Sequence, residues 1–435
     1  LSRMATRLMI LQGLQKEMSN LQFYRDRSII SQLPDELSCK MREMGLIAPD
    51  HYKVRFCGFF SWSGTTAVFL PVNSVLTDNK ELAAHYLFQS LNRYYSDKLT
   101  GIQDTDGDTL IGGNLIFTSI SIFEDYITNG LYVRRHKIQS VNKGKTNWSR
   151  TVSRHMPFIS NSSPVYLELE SSQIKNISDS ETARIHAAII RDIKKKFGVL
   201  INGEEIHFDV NLEEMPVPSG DQETQLAHLN RELTLSYSER DINLIRLLKQ
   251  YIENMDGTNN NILIVGTRHF QNVWESMLHK VLLGEKAYNQ KLPVPYYLQN
   301  SKYHEVAEKG QRADIVISDK SNQRVAVVDA KYYTALTPKD APGWPDLVKQ
   351  FFYEKAVKST VNNGVKVTTH FVFPGVEQKL ISVHVGKRGQ GGTDLFIAEL
   401  EYPVIYCHYC EPISVMKAYI NHKICYEFRK QIFEV

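Results

Sequence analysis

The chain has 435 residues, 42% hydrophobic and 23% charged, with 51 Lys and Arg against 48 Asp and Glu and a formal net charge of +3. This length exceeds one ordinary core and predicts two or three domains of soluble globular composition. No apolar run approaches the roughly 20 residues of a membrane span, the mild charge permits nucleic-acid binding without signalling it, and five cysteines, odd and sparse, predict a reducing, cytoplasmic compartment.

Residues 1–50 read as a helical segment. Met4, Leu8, Leu11, Leu14 and Met18 recur at helical spacing, as do Leu37, Met41 and Met44, and Pro34 ahead of Asp35-Glu36 suits a helix start. The opening Leu-Ser-Arg-Met-Ala carries no signal-peptide pattern and reads as an internal start. Residues 51–212 read as a β-rich domain. Tyr52 to Trp62 and Thr65 to Pro71 predict a hairpin about Ser63-Gly64, and Lys80 to Lys98 predicts a helix. Asp104, Asp106 and Asp108 superficially match a calcium loop, but the glycine comes too early and no closing Glu follows.

The stretch from Ile116 carries Phe123-Glu-Asp-Tyr126, Asn129-Gly-Leu-Tyr132 and Gly144-Lys-Thr-Asn-Trp148. A strand over Pro164–Glu170 and a helix from about Asp179 to Phe197 follow. Basic and aromatic residues concentrate here, and Arg134, Arg135, Lys145, Trp148 and Arg150 are candidate contacts for DNA or a partner protein; the alternative is a solvated loop face. Two prolines and a glycine between Asn211 and Thr224 set a boundary, with residues 213–238 as linker and residues 239–435 as a second domain. An amphipathic helix over Glu239–Met255, a strand over Asn261–Thr267 and a helix over His269–Lys280 lead into it.

The centre of that domain is Arg312 to Tyr333. Two β-branched runs flank a polar turn from Asp319 to Gln323, which predicts an antiparallel hairpin. Asp314 opens the first strand and Asp329 closes the second, so the hairpin brings the two carboxylates together. Lys331 shares a strand face with Asp329 by the period-2 rule. Like charges held together repel, and a divalent cation relieves this; a Lys beside the cation stabilises charge on a phosphate. The alternative is two strand-end carboxylates and a solvated Lys. A helix over Pro345–Lys355 then sets Gln350 and Tyr353 one turn apart, and strands follow at about 366–373, 380–385 and 394–400. In the tail, Cys407, Cys410, His422 and Cys425 are zinc-type residues. The helical stretch Pro412–Ile420 between them and the missing glycine knuckle argue against zinc.

The Asp, apolar strand, Asp-x-Lys pattern resembles the PD-(D/E)xK nuclease superfamily, with Ala313 where Pro is common. Taken in order with the pieces above, together with Val273-Trp-Glu-x-Met-Leu278, it resembles the LlaJI restriction endonuclease family, related to McrC, the nuclease subunit of McrBC systems. The likeness runs over roughly residues 50–400. It implies an α+β protein: a helical and β-rich N-terminal part that docks onto a McrB-like AAA+ GTPase hexamer in a higher-order complex, then a C-terminal PD-(D/E)xK domain that cuts double-stranded DNA in a prokaryotic cytoplasm. It also implies Mg²⁺ or Mn²⁺ at Asp314, Asp329 and Glu275, with Lys331 catalytic. Gln350 and Tyr353 are one residue closer than the Gln-x-x-x-Tyr of related nucleases, so their supporting role stays open. No Walker motif occurs in the chain. Two rival readings remain at this point: a non-catalytic factor that stimulates the GTPase, and a stand-alone sequence-specific restriction enzyme.

Overall fold

A computed structural model of the chain describes residues 21–50, 52–62, 65–76, 79–99, 111–160, 163–202, 210–256, 263–321, 323–389, 399 and 401–435. The expected helix over Met4–Met18, the Asp104–Asp108 loop and the strand at 394–400 lie outside them, apart from residue 399. The architecture is mixed α+β, as expected, and the chain forms two compact units. One comprises residues 1–113, 199–204 and 260–435; the other comprises residues 114–198 and 205–259.

This division differs from the expected boundaries at 51–212 and 239–435. In the first unit, a four-stranded sheet runs in the order Leu21–Arg25, Thr65–Leu70, Cys57–Trp62, Leu263–Thr267. Strands assigned to three different sequence segments therefore share one sheet. The predicted hairpin forms, with Gly58 opposite Phe69, and its first strand pairs antiparallel with Leu263–Thr267. Gly58 and Gly266 face each other across that pairing. A Cβ on Gly58 would lie 2.2 Å from the Val265 carbonyl oxygen, so only a glycine lets these two backbones close. Leu21–Arg25 is a strand parallel to Thr65–Leu70 and not part of a helix. Parallel pairing with a segment more than forty residues away outweighs its local tendency. Helix Asp35–Glu43 does follow Pro34 and buries Leu37 and Met41.

The second sheet of this unit has five strands in the order Ile315–Ser318, Arg324–Ala330, Lys366–Pro374, Ile405–Cys410, Ser382–Val383. The three central strands are parallel and the edge strands antiparallel. Val325, Ala326, Val327 and Val328 are all buried, so both faces are covered, which is why this run is continuously apolar instead of alternating. Val325, Val327 and Val316 pack with Ala356 and Val357 of helix Trp344–Lys358. Helix Phe270–Val281 also packs on the sheet.

In the second unit, Arg134–Val141 and Lys145–Thr146 flank Glu170–Ile177, with a separate hairpin of Phe158–Ser160 and Ser163–Val165. The single strand expected at Pro164–Glu170 is thus two strands broken at Tyr166–Leu169. The expected linker 213–238 is largely helical. Pro216 and Pro218 interrupt the chain only locally, after which Asp221 caps helix Gln222–Leu235 by accepting from Thr224 N, and Leu229 is buried. Helix Glu239–Asp256 forms as expected but belongs to this unit, where Arg240 makes two hydrogen bonds to Asp125, at 2.7 and 3.0 Å.

Candidate active site

The Arg312–Tyr333 hairpin forms with Ile315 opposite Val328, which leaves Asp314 across from Asp329 as the next pair along. Ala330 N donates to Asp314 Oδ2 at 3.0 Å, and the two carboxyl groups are themselves hydrogen-bonded. Burial, then the charges of Asp329 and Glu275, hold the Asp314 carboxyl well above the ordinary carboxylate range. Glu275, half-buried on helix Phe270–Val281, is raised in the same way, by burial and by Asp329, with Arg312 opposing. The Glu275 carboxylate is thus electrostatically coupled to both Asp314 and Asp329.

Lys331 lies where the period-2 argument sets it. Its Nζ is 2.9 Å from Asp329 Oδ2 and 2.8 Å from Asp346 Oδ1. Burial works against its charge, but the two carboxylates outweigh this and raise its pKa, so Lys331 is a fixed cation. Its backbone N donates to Val372 O at 3.0 Å, tying the end of the strand to the neighbouring one.

Helix Trp344–Lys358 supplies the other wall. Gln350 is fully buried, and its Nε2 donates to Asp329 Oδ2 at 3.1 Å. The opposite amide assignment would turn an oxygen toward the carboxylate, so the orientation is fixed chemically. Gln350 Oε1 is buried with no hydrogen-bond partner among the described residues. Tyr353 is also here: burial, then Asp314 and Asp329, push its hydroxyl up to about 12. Asp346, Gln350 and Tyr353 follow i, i+4, i+7 spacing and share one helix face. Asp346 was not expected from the sequence, although that spacing from Gln350 and Tyr353 would have signalled it.

Tyr332 is a second unexpected member. It follows Lys331 directly, and its ring lies 5.2 Å from Phe270 and 6.3 Å from Trp274 on the helix that carries Glu275. Val72 N donates to its hydroxyl at 3.0 Å, and the hydroxyl is hydrogen-bonded to buried Asp26. Asp26 also accepts from Arg27 N at 2.9 Å and Phe56 N at 3.2 Å. Burial raises the Asp26 carboxyl to about 6 against these opposing contacts. Tyr332 thereby joins the strand end bearing Lys331 to the four-stranded sheet.

Among the described residues, no three His, Cys, Asp or Glu side chains are gathered tightly enough to form a ready-made metal centre. Asp314 and Asp329 form a hydrogen-bonded pair, to which Glu275 is coupled by charge. Cys407 and Cys410 are three residues apart on one strand, which directs them to opposite faces; Cys407 is buried with Phe371 and Phe373. His422 Nδ1 is 3.0 Å from Arg93 Nη2. The candidate contact residues lie in the other unit. There Arg134 is ion-paired to buried Glu232 at 3.1 Å, Arg135 and Lys145 are exposed, Trp148 is 59% exposed, and Arg150 is half-buried. No helix among the described residues is long and apolar enough to cross a membrane.

Comparison of the sequence with known proteins identifies a family. The chain is 24% identical over 242 residues to the type II restriction enzyme BsuMI component YdjA of Bacillus subtilis, a match covering 53% of this chain and 52% of that protein. It therefore spans about half the length of that relative. In fold it is similar to a chain from the Thermococcus gammatolerans McrB AAA+ hexamers with bound McrC, with a TM-score of 0.41, 13% identity, and coverage of 92% of this chain and 98% of that one. A second similar chain comes from the McrBC complex of the same organism, with a TM-score of 0.27, 12% identity, and coverage of 60% and 86%. The model of the LlaJI restriction endonuclease family matches residues 56–386, about three quarters of the sequence, and the chain belongs to that family.

Proposed function

We propose that this chain is the metal-dependent nuclease subunit of a restriction system and cuts duplex DNA when engaged by a McrB-like AAA+ GTPase. One observation carries the reading: Asp314 and Asp329 meet at one end of the sheet, with Glu275 in electrostatic reach and Lys331 held 2.9 Å from Asp329. Two touching carboxylates and a third nearby outnumber one lysine, and such an oxygen-only donor set fits a hard divalent cation. Mg²⁺ typically takes one or two carboxylates and completes its shell with waters and substrate phosphate, so a ready-made triad is not required.

Asp314 and Asp329, with Glu275 through a water, are the residues that would hold Mg²⁺ or Mn²⁺. When bound, the ion supplies Lewis-acid polarisation of the phosphate and a more acidic water. Lys331, kept protonated, sets a positive charge against the phosphate and does not accept the water's proton. Gln350 and Asp346 fix the carboxylate and the ammonium in place, and Gln350 Oε1 has capacity to accept from a water. Such preorganisation lets in-line attack proceed with little rearrangement at the reacting atoms.

A protein partner is supported by the second unit. Its Phe158–Ser160 and Ser163–Val165 hairpin exposes Phe158, Ile159 and Val165 beside Met156, more apolar surface than a solvated face requires. The sequence resemblance to McrC supplies the GTPase identity of that partner. The test is plasmid cleavage in Mg²⁺ by the chain alone and with the AAA+ subunit and GTP, with Asp329→Ala as control. Cleavage only in the full mixture, lost in Asp329→Ala, is the expected result. Normal cleavage by Asp329→Ala sinks the site, and cleavage by the lone chain sinks the licensing.

A further inference from the structure

Between helix Phe270–Val281 and the first site strand, the chain leaves the body as a two-stranded hairpin, Tyr296–Gln299 paired with Lys302–Glu305. All eight of these residues are exposed, and Asn300 and Ser301 turn it with φ of 51° and 60°. A free hairpin of this size is only marginally stable, so a reason for its shape is to be sought in what it meets. Its root is firm. Val306 N donates to Pro295 O at 3.0 Å, Tyr288 and Leu292 are buried with Ala313 and Val316, and the Asn289 side chain bonds both N and O of Ala313, at 3.0 and 3.1 Å. That clamp is one residue from Asp314, so the hairpin springs from the edge of the active site.

The register divides its side chains. Tyr297 pairs with His304 and Gln299 with Lys302, which puts these four on one face. Lys309 joins them, with its Nζ 5.4 Å above the Tyr297 ring. That face carries two lysines and no hairpin carboxylate. Glu305 is on the opposite face, bonded to the Tyr296 hydroxyl at 2.7 Å, with Leu298 and Tyr303.

We propose that the hairpin grips duplex DNA beside the scissile phosphate through its Tyr297, Lys302, His304 and Lys309 face, an inference that rests on the nuclease reading above. Lysines at this spacing meet backbone phosphates, and the rings pack on sugar or base edges. Strands of four residues reach about 14 Å from the root, enough to lie across a groove.

The test is fluorescence anisotropy of a short labelled DNA duplex with the full chain in EDTA, across a salt series. Lys302→Ala with Lys309→Ala is expected to bind roughly tenfold more weakly at about 0.1 M salt, and the slope of log affinity against log salt is expected to shrink by about 1 to 2. Tyr297→Ala is expected to weaken binding at every salt concentration. Leu298→Ala and Tyr303→Ala, on the other face, should stay within about twofold of wild type, which separates contact from misfolding. Unchanged affinity and slope in the lysine variant, equal losses on both faces, or no duplex binding by wild type would each overturn the proposal. So would unchanged DNA affinity with loss of partner-stimulated cleavage, which gives the hairpin to a protein. Hairpin-dependent binding without any Asp329-dependent cleavage leaves the grip standing and removes the nuclease reading.

Discussion

Gln350 Nε2 donates to Asp329 Oδ2 at 3.1 Å, and both residues are buried, so an uncharged group that cannot titrate helps hold the Asp329 carboxylate in place. Gln350→Leu removes this donor and leaves Lys331 Nζ at 2.9 Å on the same oxygen. Loss of such a supporting contact typically costs about 10- to 100-fold in metal affinity or activity. The expected outcome is a cleavage loss in that range with duplex binding retained, measured by plasmid nicking alongside anisotropy. Wild-type cleavage by Gln350→Leu removes Gln350 from the site.

Lys331 is shared between Asp329 and Asp346. Asp346→Asn removes one of the two charges that raise the Lys331 pKa and frees the ammonium to move. Cleavage is expected to fall by roughly tenfold, the scale of a single lost charge-assisted hydrogen bond. Lys331→Ala is expected to fall further, and Lys331→Arg to recover only part, because a planar guanidinium does not reproduce a point charge held by two carboxylates. Single-turnover rates at saturating Mg²⁺ distinguish these variants.

Asp26 is buried and raised to about 6. Between its unfolded value of 3.8 and about 6, the folded chain binds this proton and the unfolded chain does not, so this group's contribution to stability falls as pH rises through that window. Asp26→Asn is expected to remove that slope, visible as the difference between variant and wild-type urea midpoints at a series of pH values. Tyr332→Phe is expected to destabilise by about 1 to 3 kcal/mol, because Val72 N and Asp26 then lose a buried partner. It is also expected to slow cleavage by releasing the strand end at Lys331.

His370 Nδ1 and His408 Nε2 are 3.0 Å apart on neighbouring strands, both buried. Burial lowers His408 from 6.5 to about 4 and His370 well below its usual value, the latter helped by the charge of His408. Below 6.5 the unfolded chain takes up protons that the folded chain refuses, so stability is lost as pH falls toward 4. His408→Phe is expected to flatten the unfolding midpoint over that window, a slope opposite in sign to that of Asp26. An unchanged pH profile excludes the pair as an acid-sensitive element.

The sequence by itself determined the hairpin, the meeting of Asp314 with Asp329 and the shared face of Lys331. These follow from local periodicity: once two apolar runs pair about a polar turn, register and the two-residue repeat leave the side chains little choice. The same holds for Gln350 and Tyr353 on one helix face. Tertiary structure decided what no local repeat encodes. Leu21–Arg25 became a strand because a parallel partner was available in Thr65–Leu70, and the expected linker became a helix because Leu229 had a core to enter and Asp221 a cap to make. The division into units followed from Leu263–Thr267 pairing with Cys57–Trp62, a contact two hundred residues long in sequence that only a Gly58–Gly266 approach permits. The Asp26–Tyr332 link joined the site for the same reason. A buried polar group requires a partner, and which one it finds depends on which distant elements the core brings beside it.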